Sequence, residues 1–496
     1  MNKPCFDNDE YIKLQSEQIS KRISKFGGKL YLEFGGKMFD DYHASRVLPG
    51  FRPDGKVKMF LNLKEDAEIV IAISADDIER NKVRGDLGIT YDADVLRLID
   101  AFRSAGLYVG SVVITRYEEN SPARIFREKL EKLGIKVYVH YNIDGYPNNI
   151  DLILSEEGFG KNDYIITDHS LIVVTAPGPG SGKMAVCLSQ IYQDNLHGIK
   201  SGYAKFETFP VWNLPLKHPL NLAYEAATAD LNDVNMIDPF HLEAYGEQAV
   251  NYNRDVEVFP ILNSSFERIF GKSPYNSPTD MGVNMIGYCI NDEQGVALSC
   301  RREIIRRYYK ALCAQRKDVG ASPEEIYKLE LLMKQANVSV DERPVIAAAK
   351  EKQQLSGGPA VAIELPDGRV VTGKTSNLLG AASAALLNAL KMLAGIDDKV
   401  TMISPDIISP IQDLKVNHMG NKNPRLHTDE TLIALTICAA NDETAKKAVM
   451  QLENLKGCEA HSTVLLSAVD ENVFRCLGVN LTCEPVYQTA ELFHKE

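Results

Sequence analysis

Residues 171–192 read LIVVTAPGPGSGKMAVCLSQIY. A β-branched run ends at Thr175, a glycine-rich turn follows, and a helical pattern begins near Lys183, so the segment reads as a buried-type strand feeding a helix. Outward from it, KLYLEF from Lys29, EIVIAIS from Glu68, LYVGSVVI from Leu107 and IKVYVH from Ile135 are further short apolar runs. Helical patterns separate them. Val95, Leu98, Ile99 and Phe102 share one face ahead of Gly106, and Ser121 as N-cap with Pro122 at the first position opens a second helix that Gly134 closes. Strand alternating with helix predicts a mostly parallel, right-handed α/β sheet with helices on both faces.

The chain has 496 residues, more than the roughly 250 at which a single core stops growing. Its patterns predict three parts: an N-terminal α/β domain over 1–270 carrying the P-loop-like turn and a loop-rich insertion, a helical subdomain over 271–343, and a C-terminal α/β domain over 344–496. In the second part Ser322, Pro323 and Glu325 form a capping box ahead of Ile326, Leu329 and Met333. The third opens with a hairpin, AVAIEL and RVVTGK joined through Pro366-Asp367-Gly368, then a small-residue helix from about Ser376 to Leu393.

Hydrophobic residues make up 45% and charged residues 25% of the chain, an ordinary globular balance. A net charge of -12 without a long single-sign block argues against nucleic acid as a partner. Nine scattered cysteines form no CxxC pair, so neither a zinc knuckle nor a disulfide framework is indicated. The N-terminus lacks the roughly 7–15 residue apolar core of a signal peptide, and no run approaches the ~18 apolar residues of a membrane span. The expected location is the cytoplasm, with no membrane partner.

The glycine turn carries the clearest chemistry. Gly178, Gly180 and Gly182 can take positive φ and, with Ser181, let backbone N–H groups converge on an anion. The helix N-terminus adds a partial positive charge and Lys183 a full one. The match to GxxxxGK[ST] is partial, because Pro177 stands at the first glycine and Met184 at the Mg²⁺-binding hydroxyl. Mg²⁺, if used, is held elsewhere. The expected ligand is ATP, another nucleotide or another phosphorylated small molecule; the alternative is a tight structural connection. A literal match at 368–375, GRVVTGKT, belongs to the hairpin and cannot curl around a phosphate.

A second glycine turn, Gly35-Gly36, follows the first strand in YLEFGGKMFDDYHASRVLPGF. Lys37 and Arg46 are candidates for a second anionic group. Beside Asp40, His43 and Asp41 are the candidate catalytic residues, His43 as general acid or base; a solvated loop explains the same residues. In a parallel sheet both turns lie at strand C-termini, where such sheets bind ligands. Asp233, Asp238 and His241, with Asp230 nearby, are candidate metal ligands of the hard-oxygen type Mg²⁺ prefers, although helix N-caps account for the aspartates as well. His241-Leu-Glu-Ala-Tyr is not HExxH. Arg302, Arg306 and Lys310 fall on one helical face, read as solvated, with a phosphorylated ligand or an acidic partner as the alternative. Asn417, His418, Asn421, Lys422, Asn423, Arg425 and His427 make a donor-rich loop.

YLEFGGKMFDDYHASRVLPGF, APGPGSGKMAVCLSQIY and GCEAHST together resemble the bacterial UPF0371 family, also called DUF1846, over nearly the whole chain. The resemblance implies a bacterial cytoplasmic protein. Some members carry an "ATP-dependent peptidase" label, for whose second half this chain offers no motif. VAIELPDGRVVTGKTSNLLGAASAALLNALKML is similar in topology to the opening of the cytidine-deaminase-like fold, without the PCxxC element that zinc deaminases need. The leading expectation is an ATP-dependent phosphotransferase or ligase. A noncatalytic metabolite sensor or assembly protein and a metal-dependent hydrolase are the alternatives, and a homo-oligomer is compatible with each.

Overall fold

The computed structural model describes residues 4–39, 41–84, 87–119 and 121–489; Asp40 lies outside them. The chain divides into two compact units, one of residues 4–225 and 233–296, the other of 226–232 and 297 onward. The helical segment expected over 271–343 is therefore shared between the units.

Among the described residues of the first unit, seven strands form one parallel sheet. They are β1 (Leu30–Phe34), β2 (Ala67–Ser74), β3 (Tyr108–Tyr117), β4 (Val137–Tyr141), β5 (Leu171–Thr175), β6 (Gly202–Phe206) and β7 (Gly282–Val283), in the order β7-β6-β1-β5-β2-β3-β4. The runs are apolar because both faces are covered. On one face Tyr31, Val70, Ala72, Val113, Ile172 and Val174 pack with Val186, Cys187 and Ile191 of the Lys183–Leu196 helix. The other face meets the Gly55–Leu61 helix, where Phe60 lies against Phe34 and Phe206. The Tyr91–Ser104 helix buries Val95, Leu98, Ile99 and Phe102, as its spacing predicts.

From β2 the chain steps outward through β3 to β4, then returns to place β5 on the other side of β2. This makes the β2/β5 boundary a topological switch point, with a crevice outside the strand C-termini.

Several local expectations shift. The helix after β3 spans Ala123–Lys132 with Pro122 as its N-cap, while the Ser121 hydroxyl donates to the Glu118 carbonyl at 2.7 Å. The region read as a loop-rich insertion contributes strand β6, the Pro219–Ala227 and Asn253–Phe270 helices, and a two-stranded ladder of Asn235–Ile237 with Val250–Tyr252.

The second unit holds a four-stranded sheet among its described residues: β8 (Ala360–Glu364), β9 (Val370–Lys374), β10 (Glu459–Ser462) and β11 (Asn480–Cys483), ordered β9-β8-β10-β11. β8 and β9 are the antiparallel hairpin, with Gly368 at φ +84° in its turn. The small-residue helix, Ala381–Ala394, approaches β9 so closely that a Cβ on Gly373 would stand 2.1 Å from the Ala385 nitrogen. Ser322 caps the Pro323–Gln335 helix by accepting from the Glu325 N–H at 3.2 Å.

Of the basic face, Lys310 is exposed but Arg302 and Arg306 turn to carboxylates of the unit. Arg306 is buried and pairs with Glu303 at 2.7 Å and Glu459 at 2.6 Å, and Arg302 meets Glu364 at 3.3 Å. Fully buried Arg343 also binds Glu459, at 2.7 Å, so these cations neutralise carboxylates of the core. Among the described residues no helix is long and apolar enough to cross a membrane.

Candidate functional site

The glycine turn leaves β5 at the switch point. Its local geometry follows from three glycines, two at positive φ and one pressed against a neighbouring side chain. Gly180 has φ +80° and Gly182, the N-cap of the Lys183–Leu196 helix, has φ +83°. Gly178 faces Tyr91, whose hydroxyl would lie 2.1 Å from a Cβ placed there. Neighbours then fix the turn: the Thr115 hydroxyl at the end of β3 donates to the Ser181 carbonyl at 2.9 Å, and the Ser181 hydroxyl donates to the Gly178 carbonyl at 3.0 Å. At Gly180 the turn faces open space, since among the described residues no atom lies within 4 Å of a Cβ built there. Gly182 has no side chain with which to cap the helix, so the N-cap residue leaves the positive end of its dipole unopposed.

Side-chain alternation decides what lies beneath the turn. Glu33 shares a sheet face with Tyr31, Lys205 with Tyr203, Ser74 with Ala72 and Thr115 with Val113, and this is the face covered by the Lys183 helix. The register sets Glu33 beside Lys205 and Ser74 beside Thr115. Four strand C-termini thus deliver polar side chains to one edge. Tyr203 donates to Glu33 Oε2 at 2.5 Å. Lys205 Nζ reaches Glu207 Oε1 at 2.7 Å and also binds Asp255 Oδ2 and the Tyr252 hydroxyl. Ser74 Oγ and Thr208 Oγ1 are buried and take no hydrogen bond among the described residues.

The electrostatics tie Lys183 to this group. Burial lowers its ammonium below the ordinary lysine range; Glu33 opposes that effect and Lys205 adds to it. Burial would lower Lys205 too, but Asp255 and Glu207 outweigh it and hold the ammonium well above its usual value. Burial raises the Glu207 carboxyl, Lys205 opposes the rise, Asp255 and Glu33 reinforce it, and the outcome is about 7.

The Gly35-Gly36 turn leaves the same edge from adjacent β1. Asp41 is occupied structurally: it accepts from fully buried Lys56 at 2.6 Å and caps the Tyr42–Val47 helix through the Ala44 N–H at 3.2 Å. His43 is half-buried with its ring edge-on to Phe209 at 5.4 Å, and Arg46 lies in the last turn of the same helix. Lys37 stays in the turn, where its carbonyl accepts from Lys56 at 3.3 Å.

The three candidate metal ligands each have protein partners. Asp238 Oδ1 caps the Pro239–Tyr245 helix and its Oδ2 accepts from the Thr279 hydroxyl at 2.6 Å; Asp233 pairs with Arg254 at 2.6 Å; His241 Nδ1 meets Ser277 Oγ at 3.1 Å. Among the described residues no group of three His, Cys, Asp or Glu side chains is arranged to hold a metal ion. In the donor-rich loop, His427 caps the Thr428–Ala439 helix and pairs with Asp470 at 3.0 Å, and Arg425 donates to the Ser376 carbonyl at 2.7 Å. An open groove of about 530 Å³ beside Phe240 and Phe259 is lined by no buried charged side chain, and the hydroxyl of buried Tyr275 is taken up by the Tyr203 carbonyl.

Sequence reasoning missed Glu33, Lys205, Glu207 and Asp255. The available signal was a charged residue near the C-terminal end of an otherwise buried strand, in KLYLEF and again in GYAKF.

Residues 4–337 match the family described as "Domain of unknown function DUF1846, N-terminal", and residues 341–493 match "Domain of unknown function DUF1846, C-terminal". A UPF0371 protein of Streptococcus pyogenes serotype M5 is 59% identical over 495 residues, covering 100% of both chains. A UPF0371 protein of Streptococcus thermophilus is 57% identical over 495 residues with the same coverage. With a match running from the first strand of the sheet to the last strand of the second unit, this chain belongs to the DUF1846 family, also named UPF0371.

Proposed function

We propose that this protein binds a nucleotide, with ATP foremost, or another phosphorylated small molecule, and acts on it as a phosphotransferase or ligase. One observation carries the reading: an uncapped 14-residue helix opens at the switch point on a positive-φ glycine turn, with Lys183 as its first residue. Backbone N–H groups of the turn, the helix dipole and the ammonium of the helix's first residue are the kinds of group that hold a phosphate. Met184 supplies no oxygen for Mg²⁺, so positive charge near the phosphates comes from Lys183, backed by Lys205. Catalysis in such a site is positioning together with stabilisation of charge on the transferred group.

The test is a thermal-shift comparison of the native protein and Lys183→Ala against ATP, ADP, nucleotide sugars and sugar phosphates, with and without Mg²⁺. A ligand at about 100 times its Kd adds roughly 2.7 kcal/mol. A shift in the native protein that Lys183→Ala loses supports the reading. No shift with any of these ligands, or an equal shift in both proteins, overturns it.

A further inference from the structure

The charges around Lys205 exceed what the fold requires. Three carboxylates, Glu33, Glu207 and Asp255, share the sheet edge with two ammonium groups, Lys183 and Lys205. Buried ion pairs stabilise a fold no better than apolar side chains of similar volume, because both partners must be stripped of water. Such a group at the ligand-binding edge of a parallel sheet is an arrangement for chemistry.

The two oxygens of Glu207 have different surroundings. Oε1 accepts from Lys205 at 2.7 Å and from the Tyr252 hydroxyl at 3.3 Å. Oε2 takes no hydrogen bond among the described residues, and the side chain is only 13% exposed. Two glycines border the side chain: a Cβ on Gly35 would stand 4.0 Å from Glu207 Cγ, and a Cβ on Gly282 would stand 3.9 Å from Oε2. The next residue contributes a buried, unpartnered hydroxyl, Thr208 Oγ1.

We propose that Glu207 is the general base of this site, taking the proton of an acceptor hydroxyl on Oε2 while Lys205 and Tyr252 fix Oε1. The assignment rests on the nucleotide reading above and names the class of second substrate, a hydroxyl compound. As the acceptor oxygen bonds to the terminal phosphorus of a nucleoside triphosphate, its proton passes to Oε2. The bridging P–O bond breaks, and its electron pair leaves on the diphosphate, whose charge Lys183 meets. Glu207 returns the proton to solvent after release of the phosphorylated acceptor. The groups facing Glu207 set its readiness: Lys205 on β6, Glu33 on β1, Tyr252 and Asp255 at the start of the Asn253–Phe270 helix, and Tyr224 on the Pro219–Ala227 helix. Burial, Asp255 and Glu33 together outweigh Lys205 and bring the carboxyl to about 7, a suitable basicity for this task at neutral pH.

The experiment uses the full chain with Mg·ATP, water serving as acceptor, and follows phosphate release between about pH 5 and 9, with ATP-induced thermal shift recorded alongside. The native rate is expected to fall about tenfold per pH unit on the acid side of neutrality. Glu207→Gln is expected to keep the thermal shift while losing roughly 10²–10⁴-fold in rate. Asp255→Asn leaves Glu207 in place but removes a charge that raises it, so the acid limb moves to lower pH. A native protein that binds ATP without releasing phosphate at any pH overturns the proposal. So does a Glu207→Gln protein of native rate, or an Asp255→Asn limb that does not move. Absence of any ATP-induced shift in the native protein instead overturns the nucleotide reading, and this step falls with it.

Discussion

Replacing Lys56 with methionine isolates one buried charge. The lysine is fully buried, lies over the Phe34 and Phe206 rings at 5.5 and 5.8 Å, and meets Asp41 at 2.6 Å. Methionine nearly preserves the volume, so little of the loss comes from a cavity. What remains is a carboxylate only 12% exposed without its cation, a change that costs about 3–5 kcal/mol. At roughly 2–4 °C per kcal/mol for a unit of this size, the melting temperature falls by about 6–20 °C. Burial alone would raise the Asp41 carboxyl; in the native protein Lys56, followed by His43, outweighs burial and holds it below its ordinary value. In Lys56→Met the largest opposing charge is gone, only His43 and the Ala44 N–H still oppose burial, and the carboxyl rises, so the handicap is greatest at neutral pH and shrinks as pH falls through the raised value. Asp41→Asn in the same background removes the bare charge, and the double variant recovers much of the loss. Differential scanning calorimetry of the four proteins of the cycle at neutral and mildly acidic pH reads all three effects. A drop below about 2 °C for Lys56→Met, or a double variant no more stable than the single one, refutes the reasoning.

Gly178→Ala drives a methyl against the Tyr91 hydroxyl and costs about 1–3 kcal/mol. Gly180→Ala meets no neighbour and costs only the roughly 1 kcal/mol of a left-handed backbone; equal losses in thermal denaturation would contradict this account. Burial holds His140 down at about 4 against an ordinary 6.5. The unfolded chain therefore takes up that proton first, stability is full above pH 6.5 and is lost as pH falls toward 4, and urea titrations of the native protein and His140→Gln should diverge across that window. Arg343→Met takes from Glu459 and from the Thr482 hydroxyl a donor that is fully buried, and costs about 3–5 kcal/mol in chemical denaturation; a loss under about 1 kcal/mol would show the network to be dispensable.

The β5–turn–helix segment was legible because local chemistry dictates it: β-branched residues for a strand covered on both faces, glycines where φ is positive, and an amphipathic helix after Lys183. The hairpin of β8 and β9 was legible for the same reason, with Pro366-Asp367-Gly368 defining its turn. Strand β6 was not, because GYAKF lacks β-branched residues and carries a lysine where a core residue belongs. That conflict marks the candidate site: Lys205 is buried by partners, Glu207 and Asp255, that only the fold supplies. Arg306 misled in the opposite sense. Its helical spacing reads as a solvated stripe, but its partner Glu459 arrives 153 residues later and no local pattern announces it. The aspartates at 233 and 238 resemble metal ligands in composition, yet each satisfies a nearby donor, a distinction that depends on where their oxygens point.

The place of β1 in the sheet has a bearing on how the molecule is made. This strand is synthesised before every other member of the sheet, yet it lies between β5 and β6 and pairs with both. A nascent chain released as far as β4 holds β2, β3 and β4, which can pair among themselves, while Leu30–Phe34 waits with both edges bare. Only when Phe206 has emerged can the early strand be enclosed, and in the same event Glu33 meets Lys205 across the register. Pairing of Glu33 with Lys205 therefore comes late in sheet formation, with Asp255 and β7 still to follow, and until then the early strand keeps both edges unpaired.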